Sequence, residues 1–295
     1  MAEARTEFHP RKVLILGCGF TGQRVARLLL ASGRTVLATI RDAAGLKDLA
    51  RLGAETLSFD ALDPSQVAAL PEIAWRCDAI VCSIPTLRLG AALVERIPSI
   101  AAILHGRPPR VIYLSTTGVY GTQCSVDEFT QPQPHSMRAQ LRVDAEDAVL
   151  STFDNALVLR PAAIYGPGRG VHVALREGRY RLSGDGSNYI SRIHVDDLAA
   201  HVVAALASDV TGAWPVADKL PCSQREMAEF CAKLVGVSVP GVADPAAMSE
   251  TLRANRKVDG SAIRRKLSIR LRYPSYKEGV PASIAAERTL SGGEE

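Results

Sequence analysis

The ten residues Val13-Leu14-Ile15-Leu16-Gly17-Cys18-Gly19-Phe20-Thr21-Gly22 constrain the fold more than any other stretch of the chain. Four apolar residues in a row, without polar alternation, predict a strand buried on both faces, as a parallel sheet requires. An amphipathic run from Gln23 to Ala31 follows, Ser32-Gly33 stops it, and Thr35 to Ile40 predicts a second strand. A strand, a glycine-rich turn and a helix in that order make a seat for the diphosphate of a dinucleotide. Gly17 permits the tight turn, Gly19 admits the phosphates, and Gly22 lets helix and strand pack closely. Phe20 and Thr21 belong to the helix N-terminus that supplies the amide donors. A plain glycine turn that binds nothing is the competing reading, and the agreement of motif with context speaks against it.

The end of the second strand bears on which dinucleotide. Ile40 stands where an acid would hydrogen-bond a ribose 2′-OH, and Arg41 beside it suits a 2′-phosphate. A guanidinium–phosphate contact contributes about 1.5–3 kcal/mol, so NADP is expected over NAD. Asp42 follows directly, which leaves a solvated Arg41–Asp42 pair as the alternative.

Composition narrows the class. A chain of 295 residues with 47% hydrophobic and 22% charged content fits a soluble globular protein of one large domain or two lobes. No apolar run approaches the roughly 20 residues that span a bilayer, and Met1 to Arg11 lacks the apolar core of a signal peptide. Six cysteines are scattered without short paired spacing, so neither a zinc site nor a disulfide framework is expected. A cytoplasmic protein without metal or membrane partner is the expectation. The net charge of +4 is too mild to imply nucleic acid. One basic stretch stands out, Arg253 to Lys277, where nine Arg or Lys residues face a single acid, Asp259. It offers either an anion-binding cluster or a solvated basic face.

Further elements alternate along the chain: a helix from Gly45 to Leu52, a strand from Glu55 to Phe59, a helix near Ser65 to Leu70 and a strand from Asp78 to Ile84. A long helix from Leu87 to Leu104 and strands Arg110 to Leu114 and Leu157 to Pro161 follow. This order predicts an α/β fold with a doubly wound parallel sheet. Ligands of such sheets bind at the carboxyl ends of the strands. Asp60 is therefore a candidate for the adenine or else a helix cap, and Ser83 and Ile84 are candidates at the cofactor. The hydroxyl cluster Ser115-Thr116-Thr117 falls beside the nicotinamide.

The glycine-rich loop, Ser115-Thr116-Thr117-Gly118-Val119-Tyr120-Gly121, Leu159-Arg160-Pro161 with Ile164-Tyr165-Gly166-Pro167-Gly168, and Arg192-Ile193-His194-Val195-Asp196-Asp197-Leu198-Ala199 appear in a fixed order. Together they resemble the NAD(P)-dependent epimerase/dehydratase family, the extended short-chain dehydrogenase/reductases, over residues 12 to about 280. The resemblance implies a Rossmann domain over 11–165, completed by about 193–217, and a small substrate lobe from 166–192 and 218–286. Residues 1–10 and 287–295 are expected to be flexible termini. The resemblance also implies hydride chemistry on hydroxyl or carbonyl compounds such as nucleotide-sugars. Substrate contacts are implied for Thr117, Arg160, Tyr165 and Arg192, with Asp197 capping a helix and tying the lobes. A homodimer is a family habit, with no seam visible in the sequence.

One part of the family pattern is missing. Its catalytic Tyr and the Lys four residues on fall on Arg138 and Arg142, and no Tyr lies between Tyr120 and Tyr165 to rescue the pair. Arg stays protonated and cannot relay a proton. Thr116 matches the catalytic Ser/Thr and remains able to orient a substrate oxygen, Arg142 to meet the cofactor ribose, and Arg138 to hold an anion. His135, Tyr165 or a water on Thr116 and Thr117 are the candidate replacements for the acid. His194 with Asp196 and Asp197 makes a poor metal set, since no second His is placed to join it. The expectation is an atypical NAD(P)-dependent oxidoreductase or epimerase with a small, anionic substrate. An NADP-binding sensor or scaffold without catalysis is the alternative.

Overall fold

The computed structural model describes residues 10–108 and 110–291. Seven parallel strands form one sheet: β1 (Lys12–Leu16), β2 (Thr35–Ile40), β3 (Glu55–Ser58), β4 (Ala79–Cys82), β5 (Arg110–Leu114), β6 (Ala156–Pro161) and β7 (Gly212–Val216). Their spatial order is β7-β6-β5-β4-β1-β2-β3. The chain winds outward from β1 in one direction and then returns to place β4 on its other side. That reversal opens a crevice at the carboxyl ends of β1 and β4, the usual ligand position in such sheets.

The pleat assigns the residues of β1 to two cores. Val13 and Ile15 join one apolar layer with Val25 and Leu29 of α1 (Phe20–Ala31), while Leu14 and Leu16 join the opposite layer. The second layer is covered by α2 (Pro64–Ala74), α3 (Ile97–Ile103) and α4 (Met137–Thr152). Every residue of β4, β5 and β6 is buried, which explains their largely apolar sequence, and the two cations among them, Arg110 and Arg160, donate to the Ala205 carbonyl and to Glu146. β7 pairs only with β6, and Pro215 is tolerated there because an edge strand has no further ladder to complete.

A smaller, separate core gathers Tyr165, Leu182, Met227, Cys231, Tyr276 and Val280. It is built from α5 (Val171–Arg176), α7 (Gln224–Val235) and α9 (Tyr276–Ser291), while α6 (Val195–Leu206) packs with the sheet and α8 (Ser261–Lys266) lies beside β7. α7 opens with the capping box Ser223 and Glu226 that its sequence announces.

Two expectations are corrected. The apolar run after Pro85 is not one long helix: Leu87–Leu89 and Ala92–Val94 form a hairpin turning at Gly90, whose φ is +60°, and α3 begins only at Ile97 with Pro98 in its first turn. The chain is also helical beyond Glu287, which lies within α9, whereas 1–9 and 292–295 fall outside the described residues.

Candidate cofactor and substrate site

The three glycines of the first turn divide their work as the sequence predicts. Gly17 has φ +82°, and a methyl there would stand 3.0 Å from the backbone of Ser83 and Ile84. A methyl on Gly22 would meet Ile15 Cγ2 and the Gly17 carbonyl oxygen at 3.2 Å. Around Gly19, by contrast, no atom lies within 4 Å of a Cβ position. Gly19 is the N-cap of α1 and has no side chain to cap it, and the helix's first backbone bond runs from the Gln23 amide to the Gly19 oxygen at 2.9 Å. The amides of Phe20, Thr21 and Gly22 therefore end in an open concavity, where donors and helix dipole together suit a diphosphate. The residues present fit a dinucleotide.

At the end of β2 Arg41 is exposed, and among the described residues its guanidinium has no hydrogen bond or ion pair. Asp42 does not pair with it, because Asp42 Oδ1 accepts the Ala44 amide and caps a short 3-10 turn. Asp60 Oδ1 accepts the Leu62 amide, and Asp63 is the residue that caps α2. Asp60 is thus the start of a turn, not a helix cap.

Beside the crevice, β5 is followed by Ser115, Thr116 and Thr117. Thr116 Oγ1 accepts the Gly118 amide at 3.0 Å, so its own hydroxyl proton is left to donate outward. Thr117 is buried, and the Ser115 hydroxyl is buried without a partner. Ser136 caps α4, and the helix then presents Arg138 to solvent and Arg142 to the interior.

Arg142 corrects an expectation. Its guanidinium donates to the carbonyls of Ile84 and Leu114, at the ends of β4 and β5, and pairs with Glu95 Oε2 at 3.3 Å. Glu95 also accepts from Thr86 and from the first amides of α3. Arg142 is a buried clamp under the crevice, and Glu95, absent from the sequence-based reading, is its counter-charge. His135 is exposed, with Nδ1 donating to the Gln133 carbonyl.

Three residues expected to meet substrate are turned inward. Arg160 donates to Glu146 at 2.6–3.2 Å and to the Tyr120 hydroxyl at 3.1 Å, all buried. Arg192 donates to the Ile190 carbonyl and lies 3.2 Å from Cys222 Sγ. Tyr165 is buried and donates to the Ser275 carbonyl, so its hydroxyl is turned into the fold and away from the crevice, and burial pushes its phenol above the ordinary value. Gly279 is obligatory beside it, since a Cβ would fall 2.1 Å from the Tyr165 oxygen.

His194 caps α6 by accepting the Asp196 amide, the role expected of Asp197. Asp197 instead accepts the amides of Arg272 and Tyr273 at 2.7 and 2.9 Å, tying the C-terminal segment to α6. Among the described residues no three His, Cys, Asp or Glu side chains converge on a metal position. Most of the basic stretch is the solvated face that is one of its two expected readings, with Arg253, Lys257, Arg265, Lys266, Arg270, Arg272 and Lys277 exposed; the departures are Arg256, which donates to the carbonyls of Gly121 and Gln123, and Arg264, which donates to that of Ala217.

Asp218 is a titratable group that no sequence motif singles out. It is 3% exposed, its Oδ2 has no partner, and burial pushes its carboxyl up to about 7. The unfolded carboxyl titrates near its ordinary 3.8, so between that value and about 7 the folded chain holds the extra proton and stability falls as pH rises. Asp218→Asn is expected to remove this slope, read as urea midpoints across the window. An unchanged slope would show that Asp218 ionises normally.

A sequence profile described as NAD(P)H-binding matches residues 17–209. The chain is 28% identical to a 3-diazoavenalumate denitrifying reductase of a Streptomyces species, covering 91% of this chain and 99% of that protein. A conserved protein of unknown function from Silicibacter pomeroyi superposes with a TM-score of 0.74 at 30% identity, over 93% of this chain and 98% of its own. The UDP-glucuronic acid 4-epimerase of Bacillus cereus, solved with UDP-glucuronic acid and NAD, superposes with a TM-score of 0.79 at 19% identity, over 95% of this chain and 99% of its own. Among the described residues no helix is long and apolar enough to cross a membrane. Open cradle, switch point and profile agree: the chain belongs to the NAD(P)H-binding family, on the Rossmann fold that it shares with the NAD-dependent epimerases.

Proposed function

We propose that this protein is an NADP-dependent oxidoreductase acting on a small hydroxyl or carbonyl compound with an anionic group, such as a nucleotide-sugar. The observation that carries this reading is the pairing of an intact dinucleotide cradle at Gly19 with the half-exposed Thr116 hydroxyl at the end of β5. In this reading 11–165, with 193–217, holds the cofactor, and 166–192 with 218–286 closes on the substrate. The bound nicotinamide supplies or accepts the hydride.

Thr116 donates its free O–H to the substrate oxygen and fixes the carbon that reacts. The proton is exchanged with water across Thr116, since neither Tyr165 nor Arg142 is able to relay it. Arg138, exposed one helical turn before Arg142, attracts the anionic group. Arg142 and Glu95 act from below, holding the ends of β4 and β5 in register. Thr116→Val is expected to leave NADPH affinity unchanged and to lower turnover by about a hundredfold or more, read as NADPH oxidation with a panel of carbonyl and nucleotide-sugar substrates. A chain that binds NADPH and turns over nothing in that panel would favour the sensor, the reading that the missing Tyr and Lys support.

The preference for NADP rests on Arg41, which is exposed at the end of β2 and, among the described residues, has no hydrogen bond or ion pair. Arg41→Ala is expected to weaken NADPH about ten- to a hundredfold and to spare NADH. Equal loss of both in calorimetric titrations would remove the 2′-phosphate assignment.

A further inference from the structure

Outside the residues assigned so far, Arg169 stands beside the cradle with no counter-charge among the described residues. Arg169 lies in the turn Gly166–Arg169, closed at both ends by backbone bonds: the Gly166 amide donates to the Arg169 oxygen at 2.9 Å and the reverse bond is 3.0 Å. Its guanidinium is centred 5.2 Å over the ring of Phe20, the first residue of α1 after Gly19. The turn is packed and bonded in this position. A Cβ on Gly166 would stand 2.6 Å from Val195 Cγ1 and 3.4 Å from Phe20 Cζ, and Glu287 of α9 accepts the Gly168 amide at 2.7 Å.

The nearby carboxylates are directed elsewhere. Asp196 pairs with Arg24 at 3.6 Å, and Glu287 takes His172 and Arg176 besides Gly168. Among the described residues Arg169 has no ion pair. A full positive charge is thus held over the positive end of α1, and two like charges converge on one concavity. An anion in the space between them is attracted by both.

We infer that Arg169 closes over the diphosphate of the bound dinucleotide, with the Phe20 ring as its platform and the Glu287 contact to Gly168 as its anchor. The inference rests on the cofactor reading above and adds to it a residue from the far side of the crevice. The cradle amides hold the diphosphate from one side, and the guanidinium covers it from the other. The site therefore discriminates ligands by the diphosphate, independently of Arg41 and the 2′-phosphate.

The test is a set of calorimetric titrations of the full chain, wild type and Arg169→Ala, with NADPH, ADP-ribose and adenosine 2′-monophosphate. ADP-ribose carries the diphosphate without the nicotinamide, and the monophosphate carries only the adenosine end. Arg169→Ala is expected to weaken NADPH and ADP-ribose by about tenfold or more and to leave the monophosphate unchanged, with Arg169→Lys partly restoring both. Wild-type affinity for ADP-ribose in Arg169→Ala overturns the inference while leaving the cofactor reading intact. Equal weakening of all three ligands also overturns it, since the change then acts on the fold of the site. Failure of the wild type to bind NADPH removes the cofactor reading itself, and the inference with it.

Discussion

Glu146→Ala is expected to destabilise the protein by about 3–5 kcal/mol, enough to unfold much of the chain at moderate temperature. Glu146 is 1% exposed and receives three contacts from the Arg160 guanidinium at 2.6–3.2 Å. Removing it leaves a buried cation with the Tyr120 hydroxyl as its remaining side-chain partner. The paired replacement Glu146→Leu with Arg160→Met removes both charges and is expected to recover most of the loss, because a buried pair is harder to break than to replace. Urea unfolding of the single and double variants measures this. A single variant as stable as wild type would return Arg160 to the substrate side of the site.

The second large effect lies in the cradle and separates binding from folding. Gly19 has φ −83°, outside the left-handed region, and no atom lies within 4 Å of its Cβ position. Gly19→Val is therefore expected to keep stability within about 0.5 kcal/mol of wild type. Its side chain fills the space the diphosphate needs, so NADPH affinity is expected to fall about a hundredfold or more. Gly22→Val is the counterpart: its Cβ meets Ile15 and the Gly17 oxygen at 3.2 Å, and overpacking is expected to cost about 1–3 kcal/mol. Thermal midpoints and titrations on the two variants check the pair. Similar melting losses for both would mean that Gly19 is a packing glycine like its neighbour.

How much of this was legible in the sequence follows from the range of each interaction. The glycine roles and the buried strands are local, set by backbone approach and apolar runs, and the structure carries them nearly residue for residue. Gly19 and Gly22 even differ in the sense expected of them. The pairs Arg160–Glu146 and Arg142–Glu95 join residues 14 and 47 positions apart, and a single sequence contains no sign of which carboxylate faces which guanidinium. From the sequence Arg160 and Arg142 look like ligand contacts, whereas their charges are satisfied internally. The hairpin at 87–94 looks helical in the sequence because Leu87, Leu93 and Val94 also fit a helical stripe. Gly90 and Pro98 were the available signals, and each marks a break. Arg256 and Arg264 carry the same lesson, since a basic run shows charge but not the backbone carbonyls that the fold brings to it.

Glu287 illustrates the opposite error. A polar, glycine-rich end suggested a loose tail from this residue onward, yet Glu287 meets the Gly168 amide, His172 and Arg176 on another element. A single long-range anchor of this kind outweighs local composition.

The central claim is that the concavity at Gly19 receives a nicotinamide dinucleotide. The most direct measurement is a calorimetric titration of the purified wild-type chain with NADPH and with NADH. Saturable binding of one dinucleotide per chain, tighter for NADPH, is the predicted result. No heat with either nucleotide, from a chain shown to be folded, would contradict the account at its root.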